Sequence, residues 1–233
     1  EIFKLHGCSA HYTDDKEEIK NRYDSFKENI ENMYKILADV TMEPHFNPND
    51  IYMFYDILNN STHYFEYGSG GSTFQAANQY NIKTIHLVES DPEWYNNVCK
   101  NIEKKKPITL MYRHLNTTPN NWGYPGEGCL IEHAKEYSRA IRSLSETESN
   151  RLDMILIDGR FRVACCLHCF DMISDDCQIV FDDFLNRPDY HDVLQFYDIV
   201  RKTEDNIMVV LKKKKGVNGP SPDLLNKYDL ISK

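Results

Sequence analysis

A glycine-rich turn flanked by acidic residues carries the clearest chemical signal in the sequence. It runs from Glu66 to Thr73 (EYGSGGST) and joins a predicted strand to a predicted helix. Glycines permit a tight turn and let a ligand approach the backbone, and N–H groups at the start of the helix can face that ligand. The dinucleotide pattern G-x-G-x-x-G fits only in part, because Thr73 stands at the third glycine position. A strand–helix turn that binds no ligand is the alternative.

Two acidic residues indicate what such a turn would bind. Glu66 lies two residues before Gly68, where a carboxylate repels a pyrophosphate and attracts an ammonium group. Glu89 ends the next predicted strand, 21 residues after Gly68, which is the place of a carboxylate that binds ribose hydroxyls. A ligand with a cationic amino acid at one end and a ribose at the other fits these acids better than NAD does. S-adenosylmethionine (SAM) is such a ligand.

The motif Glu-x-Gly-x-Gly-Gly-Ser-Thr, with a following strand that ends in Glu, resembles motifs I and II of the class I SAM-dependent methyltransferases. The resemblance covers roughly residues 63–213 and implies a Rossmann-like fold, SAM as cofactor and methyl transfer as the activity. It implies that Glu66 faces the amino group of SAM and that Glu89 binds the ribose. The family often has an acidic residue where this chain has Asn116. The other cofactor-binding residues that we predict are Gly68, Ser69, Gly70, Gly71, Ser72, Thr73, Ser90, Asp91, Trp94, Asn116 and Asp158.

Acidic residues also follow the fourth and fifth predicted strands. In this family the corner after the fourth strand faces the methyl group and the acceptor. Asp158 lies there and would act as a general base if burial raised its pKa; capping of the next helix is its alternative role. Asp183, after the fifth strand, is the second predicted catalytic residue. These acids, with Asp182, resemble the magnesium ligands of metal-dependent O-methyltransferases, so Mg²⁺ is a possible cofactor, although no metal ligands are assigned.

Aromatic and basic residues near the same strand ends are candidates for binding the methyl acceptor. We predict a small-molecule or carbohydrate acceptor that is methylated on oxygen. No Asn-Pro-Pro-Tyr motif, typical of transfer to nitrogen, follows the fourth strand. Packing is the alternative role of the aromatic candidates. Arg160 and its neighbour Arg162 would bind an anionic or sugar-like acceptor or, alternatively, form ion pairs with Asp158, Asp182 or Asp183. The predicted acceptor-binding residues are Trp122, Tyr124, Arg160, Arg187 and Tyr190.

The elements that must position these residues alternate between short apolar strands and helices. This alternation, with two β-rich runs at 196–200 and 207–211, predicts a doubly wound, mostly parallel seven-stranded α/β sheet closed by an antiparallel hairpin. We predict a SAM-binding core at 61–215 and a C-terminal tail at 216–233. An N-terminal helical extension at 1–60 would contain helices at 14–40 and 50–58, the second capped by Asp50.

Composition narrows the partners and the compartment. The net charge of −9 argues against a nucleic-acid substrate, and no apolar run is long enough to span a bilayer. The odd count of seven cysteines, four of them between Cys165 and Cys177, does not resemble a disulfide framework and favours a reducing compartment such as the cytoplasm. Because the sequence begins with Glu1, a removed leader and the secretory lumen stay open. No oligomeric state is indicated.

Two other classes of function fit the same pattern. One is a different enzyme on this fold, such as an aminopropyl transferase or an NAD-dependent enzyme. The other is a protein that binds SAM without catalysis. Binding of S-adenosylhomocysteine (SAH) and of NAD would separate these alternatives.

Overall fold

The computed structural model describes residues 42–102, 106–118, 121–205 and 207–232, together with Lys16, Glu17 and Lys20. The chain divides into two compact units, 1–42 and 43–233. Apart from those three residues, the helix predicted at 14–40 lies outside the described residues. All elements below belong to the second unit, whose helices in the described ranges include none long and apolar enough to cross a membrane.

Seven strands form one sheet. The strands are β1 (His63–Tyr67), β2 (Thr84–Glu89), β3 (Ile108–Tyr112), β4 (Met154–Ile157), β5 (Gln178–Phe181), β6 (Tyr197–Lys202) and β7 (Val209–Lys213). Their order is β3-β2-β1-β4-β5-β7-β6. The first five strands pair in parallel, and β7 pairs antiparallel with both β5 and β6. The predicted fold class is therefore confirmed, including the closing hairpin.

The strand order places a ligand site between β1 and β4. From β1 the sheet grows towards β2 and β3 on one side and towards β4 and β5 on the other. Ligands of doubly wound sheets bind outside the carboxyl ends of the strands at such a switch point. Tyr67 and Ile157 end the two central strands side by side, in register. Gly68 and Asp158 follow them directly and therefore border the expected site.

The helices fall into two groups. They are α1 (Pro48–Asn59), α2 (Gly71–Asn78), α3 (Pro92–Asn101), α4 (Ile131–Ser138), α5 (Glu146–Ser149), α6 (Arg162–Cys169) and α7 (Pro222–Tyr228), with 3₁₀ helices at Ala140–Ser143 and Pro188–Gln195. Helix α2 contacts α3, whereas α6 contacts α4 and α7. Every residue of α6 is buried, because it lies in the main hydrophobic core. Its three cysteines are free thiols that pack there as small apolar side chains.

Two local helix predictions are wrong. Helix α1 begins at Pro48 with Asn47 as N-cap, and Asp50 lies buried in the first turn, where it accepts a hydrogen bond from Asn47 Nδ2 at 3.2 Å. Proline suits the first helical position because its φ is fixed and it lacks an N–H. The sequence after about Cys129 predicts a single helix to about Ser145. The structure instead ends α4 at Ser138, and Ser145 caps α5 through a reciprocal pair with Glu148.

The segment predicted as a C-terminal tail contains α7 and packs into the core. Asp229, just after this helix, is fully buried. Its carboxylate accepts hydrogen bonds from Ser138 Oγ at 2.5 Å and from Arg139 Nε at 2.9 Å. His168 Nε2 of α6 lies 2.9 Å from the same carboxylate. These bonds join the end of the chain to two helices of the core, so the last residues are part of the second unit.

Candidate functional site

The glycine turn approaches the loop after β4 at backbone distance. Gly68 has a φ of +85° and donates its N–H to Val88 O at 3.0 Å. A Cβ at Gly68 would lie 2.8 Å from Gly159 Cα, which is too close for any side chain. The turn after β1 and the turn after β4 therefore touch through glycine at the switch point. This contact fixes the position of the glycine turn against Asp158.

Gly68→Ala and Gly216→Ala form a matched pair that tests this close approach. Both residues have positive φ, where a side chain costs about 1 kcal/mol, but nothing lies within 4 Å of a Cβ at Gly216. We expect Gly68→Ala to lower the free energy of unfolding by about 1–3 kcal/mol more than Gly216→Ala does, because the new methyl group meets backbone. Urea unfolding of both variants measures the difference. Equal losses would contradict the close approach.

Glu66 is buried beneath the turn and held by hydroxyl groups. Thr73 Oγ1 donates to its carboxylate at 2.6 Å, and Ser72 Oγ donates to its other oxygen. Thr73 Oγ1 also accepts the N–H of Gly70 at 3.0 Å, so the residue at the third glycine position ties the turn to Glu66. Burial raises the pKa of Glu66 to about 8. An ammonium group nearby would favour its ionised form.

Glu89 joins the glycine turn to the start of α3. One carboxylate oxygen accepts from Ser69 N at 3.0 Å and from Ser69 Oγ at 2.6 Å. The other accepts from Ser90 N at 2.6 Å and from Asp91 N at 2.9 Å. Burial raises the pKa of Glu89, whereas these four hydrogen bonds favour its charged form. The acid at the end of β2 therefore faces the turn after β1, as two adjacent parallel strands require.

Trp94 extends this group of cofactor-site candidates. Asp91 caps α3 by accepting the N–H groups of Glu93 and Trp94 at 2.9 and 3.0 Å. The Trp94 indole N–H donates to Ser69 O, and a Cβ at Gly70 would lie 3.6 Å from the indole ring. The indole is partly exposed beside the turn. The structure thus brings the candidates of the turn together with those after β2.

Arg162 forms ion pairs with the acidic residues that follow β4 and β5. Its guanidinium is buried, with Nη2 2.8 Å from Asp158 Oδ1 and Nη1 3.6 Å from Asp182 Oδ2 and 3.4 Å from Asp183 Oδ2. Nη1 also donates to Asp182 O at 2.8 Å, and Nε donates to Gly159 O at 3.0 Å. Both aspartates reach this corner because β5 ends at Phe181, before either of them. The ion-pair alternative holds for Arg162.

Burial and mutual repulsion raise the proton affinity of the Asp158–Asp182 pair. Burial, followed by the charge of Asp158, raises the pKa of Asp182 to about 8. Burial raises the pKa of Asp158 as well, against the charge of Arg162, and the two carboxyls hydrogen-bond to each other. The pair therefore holds a proton at neutral pH. Asp158 does not cap α6, whose N-cap is Phe161.

The same corner offers little to a metal ion. Within the described ranges, no three His, Cys, Asp or Glu side chains are arranged to hold one. The guanidinium of Arg162 lies among Asp158, Asp182 and Asp183, where a cation bound by these acids would lie. The structure thus gives no support to the Mg²⁺ prediction, and no step of the proposal below depends on a metal.

The predicted acceptor-binding residues separate into three environments. Tyr124 is partly exposed and stacks under Arg160, whose guanidinium carbon lies 4.2 Å from the ring centroid. Trp122 is 72% exposed, with its ring centroid 5.5 Å from that of His45. Arg187 donates to Asp183 Oδ2 at 2.6 Å and to Tyr190 Oη at 3.0 Å.

Two candidates serve mainly to hold structure. Tyr190 is 1% exposed and packs on Phe181, so it lies in the core and supports Arg187 from below. Asn116, at a φ of +53°, donates from its amide to Glu127 O and closes the loop that carries Trp122 and Tyr124.

Tyr137 is a residue of the site that the sequence did not indicate. It comes from α4, is buried, and its hydroxyl accepts the Arg160 N–H at 3.3 Å. A Cβ at Gly159 would lie 2.0 Å from that hydroxyl, so glycine is required there. No motif surrounds Tyr137, whereas the sequence DGRFR directly after a buried strand did mark Arg162.

No protein family and no curated protein matches the sequence. Among solved structures, the fold is similar to that of a methyltransferase-like protein from Silicibacter pomeroyi, with a TM-score of 0.69, 22% identity, and coverage of 83% of this chain and 100% of that chain. N-methyltransferase NodS from Bradyrhizobium japonicum gives a TM-score of 0.45 at 11% identity, covering 72% of this chain and 98% of its own. Human methyltransferase-like protein 13 gives 0.43 at 10% identity, with 76% and 82% covered.

The strand order and the first of these likenesses define the class of the fold. It is the Rossmann-like fold of class I methyltransferases, with the antiparallel hairpin at the end of the sheet.

Proposed function

We propose that the chain is a SAM-dependent methyltransferase. The observation that carries this proposal is the pair of buried carboxylates, Glu66 and Glu89, at the ends of two adjacent parallel strands on either side of a glycine turn. They lie on the β1–β2 side of the switch point, in a sheet that has the methyltransferase fold. The resemblance of the sequence to motifs I and II supports the same assignment.

The residues at the switch point fit SAM better than a dinucleotide. Glu66 would face the ammonium group and Glu89 the ribose hydroxyls, while Gly68, Gly70 and Gly71 would leave the backbone open to the ligand. A pyrophosphate beside Glu66 would meet an acidic side chain without a compensating cation from the turn. Asp91 and Trp94 would lie beside the adenosine.

The acids after β4 and β5 supply the proton chemistry of the proposed reaction. When bound, SAM provides an electrophilic methyl group on a sulfonium. The Asp158–Asp182 pair, in its ionised form, would take the proton of an acceptor hydroxyl and so generate the oxygen nucleophile. Arg162 orients both carboxylates and limits their repulsion, while Asp183 and Arg187 form the outer edge of this corner. Orientation of the acceptor would supply much of the rate.

We propose a small-molecule or carbohydrate acceptor that is methylated on oxygen. Carboxylates border the predicted reaction corner, and the half-exposed Tyr124 and exposed Trp122 offer aromatic faces next to it. Such faces stack on sugars and on aromatic rings.

Calorimetric titration with SAH and with NAD tests the cofactor assignment. We expect SAH to bind with a dissociation constant in the micromolar range, on the order of −8 kcal/mol, and NAD not to bind. Transfer of labelled methyl groups from SAM to a panel of sugars, phenols and extracts then tests catalysis. Failure of SAH to bind at millimolar concentration would overturn the proposal. Binding without transfer to any acceptor would favour a non-catalytic SAM-binding protein.

A further inference from the structure

Within the described part of the chain, Arg160 is a largely buried cation that no carboxylate pairs with. The residue is only 8% exposed, and its Nε is a buried donor with no hydrogen bond. Among the described residues, its guanidinium forms no hydrogen bond and no ion pair. The backbone N–H of Arg160, by contrast, is bonded to Tyr137. Two positions further along, Arg162 engages five acceptor atoms of the same corner.

The surroundings of Arg160 hold the side chain in place by stacking and packing, without a hydrogen bond to its guanidinium from a described residue. Its guanidinium lies over the face of Tyr124, where the ring attracts a cation, with the guanidinium carbon 4.2 Å from the ring centroid. Gly123, at a φ of +70°, packs between Ser90 and the aliphatic part of Arg160; a Cβ there would lie 3.2 Å from Ser90 Oγ and 3.9 Å from Arg160 Cγ. The loop that carries Tyr124 therefore orders Arg160 beside the end of β2.

A buried Nε–H without an acceptor is costly, because a donor of a charged group that is removed from water must be compensated. Stacking on one aromatic ring leaves the in-plane N–H groups unused, since cation–π attraction acts through the face of the guanidinium. Oxyanions bind in the plane, where two parallel N–H groups match a carboxylate or a phosphate. Arg160 thus has the arrangement of an anion-binding arginine: one face is stacked on an aromatic ring, and the in-plane N–H groups have no acceptor among the described residues.

We propose that Arg160 and Tyr124 form a subsite for an oxyanion, a carboxylate or a phosphate monoester, carried by the methyl acceptor. This inference rests on the proposed function for the statement that the anion belongs to an acceptor. The acceptor would then carry an ionised group at Arg160 and a hydroxyl that reaches the Asp158–Asp182 pair. The net charge of −9 gives the chain an overall field that repels anions. Recognition of an anionic acceptor would therefore depend on the local charge of Arg160.

The unpartnered Nε–H gives a direct spectroscopic probe of the subsite. In the full-length, ¹⁵N-labelled protein saturated with SAH, the Arg160 Nε–H signal is assigned by its loss in Arg160→Lys. The protein is titrated with benzoate, with inorganic phosphate and with benzamide as an uncharged control. We expect a saturable shift of the Arg160 signal with at least one anion and none with benzamide. The anion that acts distinguishes a carboxylate subsite from a phosphate subsite.

Two variants separate this inference from general electrostatics. Arg160→Gln is expected to weaken binding of the active anion about tenfold or more, followed through the Gly123 amide signal, and Arg160→Lys to weaken it less. Arg201→Gln is the matched control and should leave the affinity unchanged. Arg201, on β6, forms an exposed ion pair with Asp56 of α1. Retained SAH affinity in Arg160→Gln shows that the variant folds.

The proposal of a subsite would be overturned if neither benzoate nor phosphate gave a saturable shift. It would also be overturned if wild type and Arg160→Gln bound the anion equally well. Failure of SAH to bind would instead overturn the proposed function, and the anion titration can be run without SAH. The two failures are therefore distinguishable.

Discussion

Replacement of Glu89 by glutamine is expected to weaken SAH binding by about a hundredfold or more. The carboxylate accepts four hydrogen bonds, from Ser69, Ser90 and Asp91, and is the proposed acceptor for the ribose hydroxyls. Glutamine is uncharged, and its NH₂ group would face N–H donors of the turn. Hydrogen bonds to a charged group contribute about 1.5–3 kcal/mol each, so the loss of two accounts for the expected factor.

The measurement is calorimetric titration of Glu89→Gln with SAH. Glu93→Gln serves as the matched control, because Glu93 is exposed in the first turn of α3 and contacts no part of the glycine turn through its side chain in the described structure. Glu89→Asp keeps the charge but shortens the side chain and should give an intermediate affinity. An affinity of Glu89→Gln within about threefold of wild type would remove Glu89 from the cofactor site.

Replacement of Asp158 by asparagine is expected to lower the rate of methyl transfer by about 10²–10⁴-fold and to change SAH affinity by less than about threefold. Asparagine cannot accept the proton of an acceptor hydroxyl, but it retains the size of the side chain and one oxygen facing Arg162. The rate is measured with the methyl acceptor that the screen with labelled SAM identifies. Asp175→Asn is the control, since Asp175 forms an exposed ion pair with Lys213.

The pH profile gives a second readout of this base. Burial and the charge of Asp158 raise the pKa of Asp182 to about 8. Below that pH the proton of Asp182 is shared with Asp158 and weakens Asp158 as a base. Activity should therefore rise with pH up to about 8 and fall about tenfold per pH unit below that value. A rate in Asp158→Asn equal to wild type, or a wild-type rate that is independent of pH between 6 and about 9, would contradict the assignment of the base.

Much of the fold follows from local patterns along the chain. The apolar runs Ile108–Tyr112, Met154–Ile157 and Gln178–Phe181 each predict a strand, and β3, β4 and β5 have these bounds. For β4 and β5 the reason is that a strand covered on both faces requires apolar side chains and ends where polar residues begin. Helix α7 was missed, although Ser221 as N-cap, Pro222 at the first position and Asp223 in the first turn form a recognisable helix start.

The sequence by itself determined which residues stand at the ends of the strands. Glu66 is the last residue but one of β1, Glu89 ends β2 and Asp158 follows β4. Parallel strands bring their carboxyl ends to one edge of the sheet. Strand bounds and the glycine turn depend on the types of a few neighbouring residues. The positions of these acids at the strand ends can therefore be predicted from the sequence alone.

Only the tertiary structure decided how those residues pair. Arg160 and Arg162 are two positions apart and were equivalent candidates, yet Arg162 lies among three carboxylates while Arg160 lies unpaired over Tyr124. The difference arises because each guanidinium meets groups from other elements: Arg162 meets the acids after β5, and Arg160 meets the loop after β3. Burial, which raises the pKa of the acids, is likewise a property of the packed sheet and helices and of no single segment.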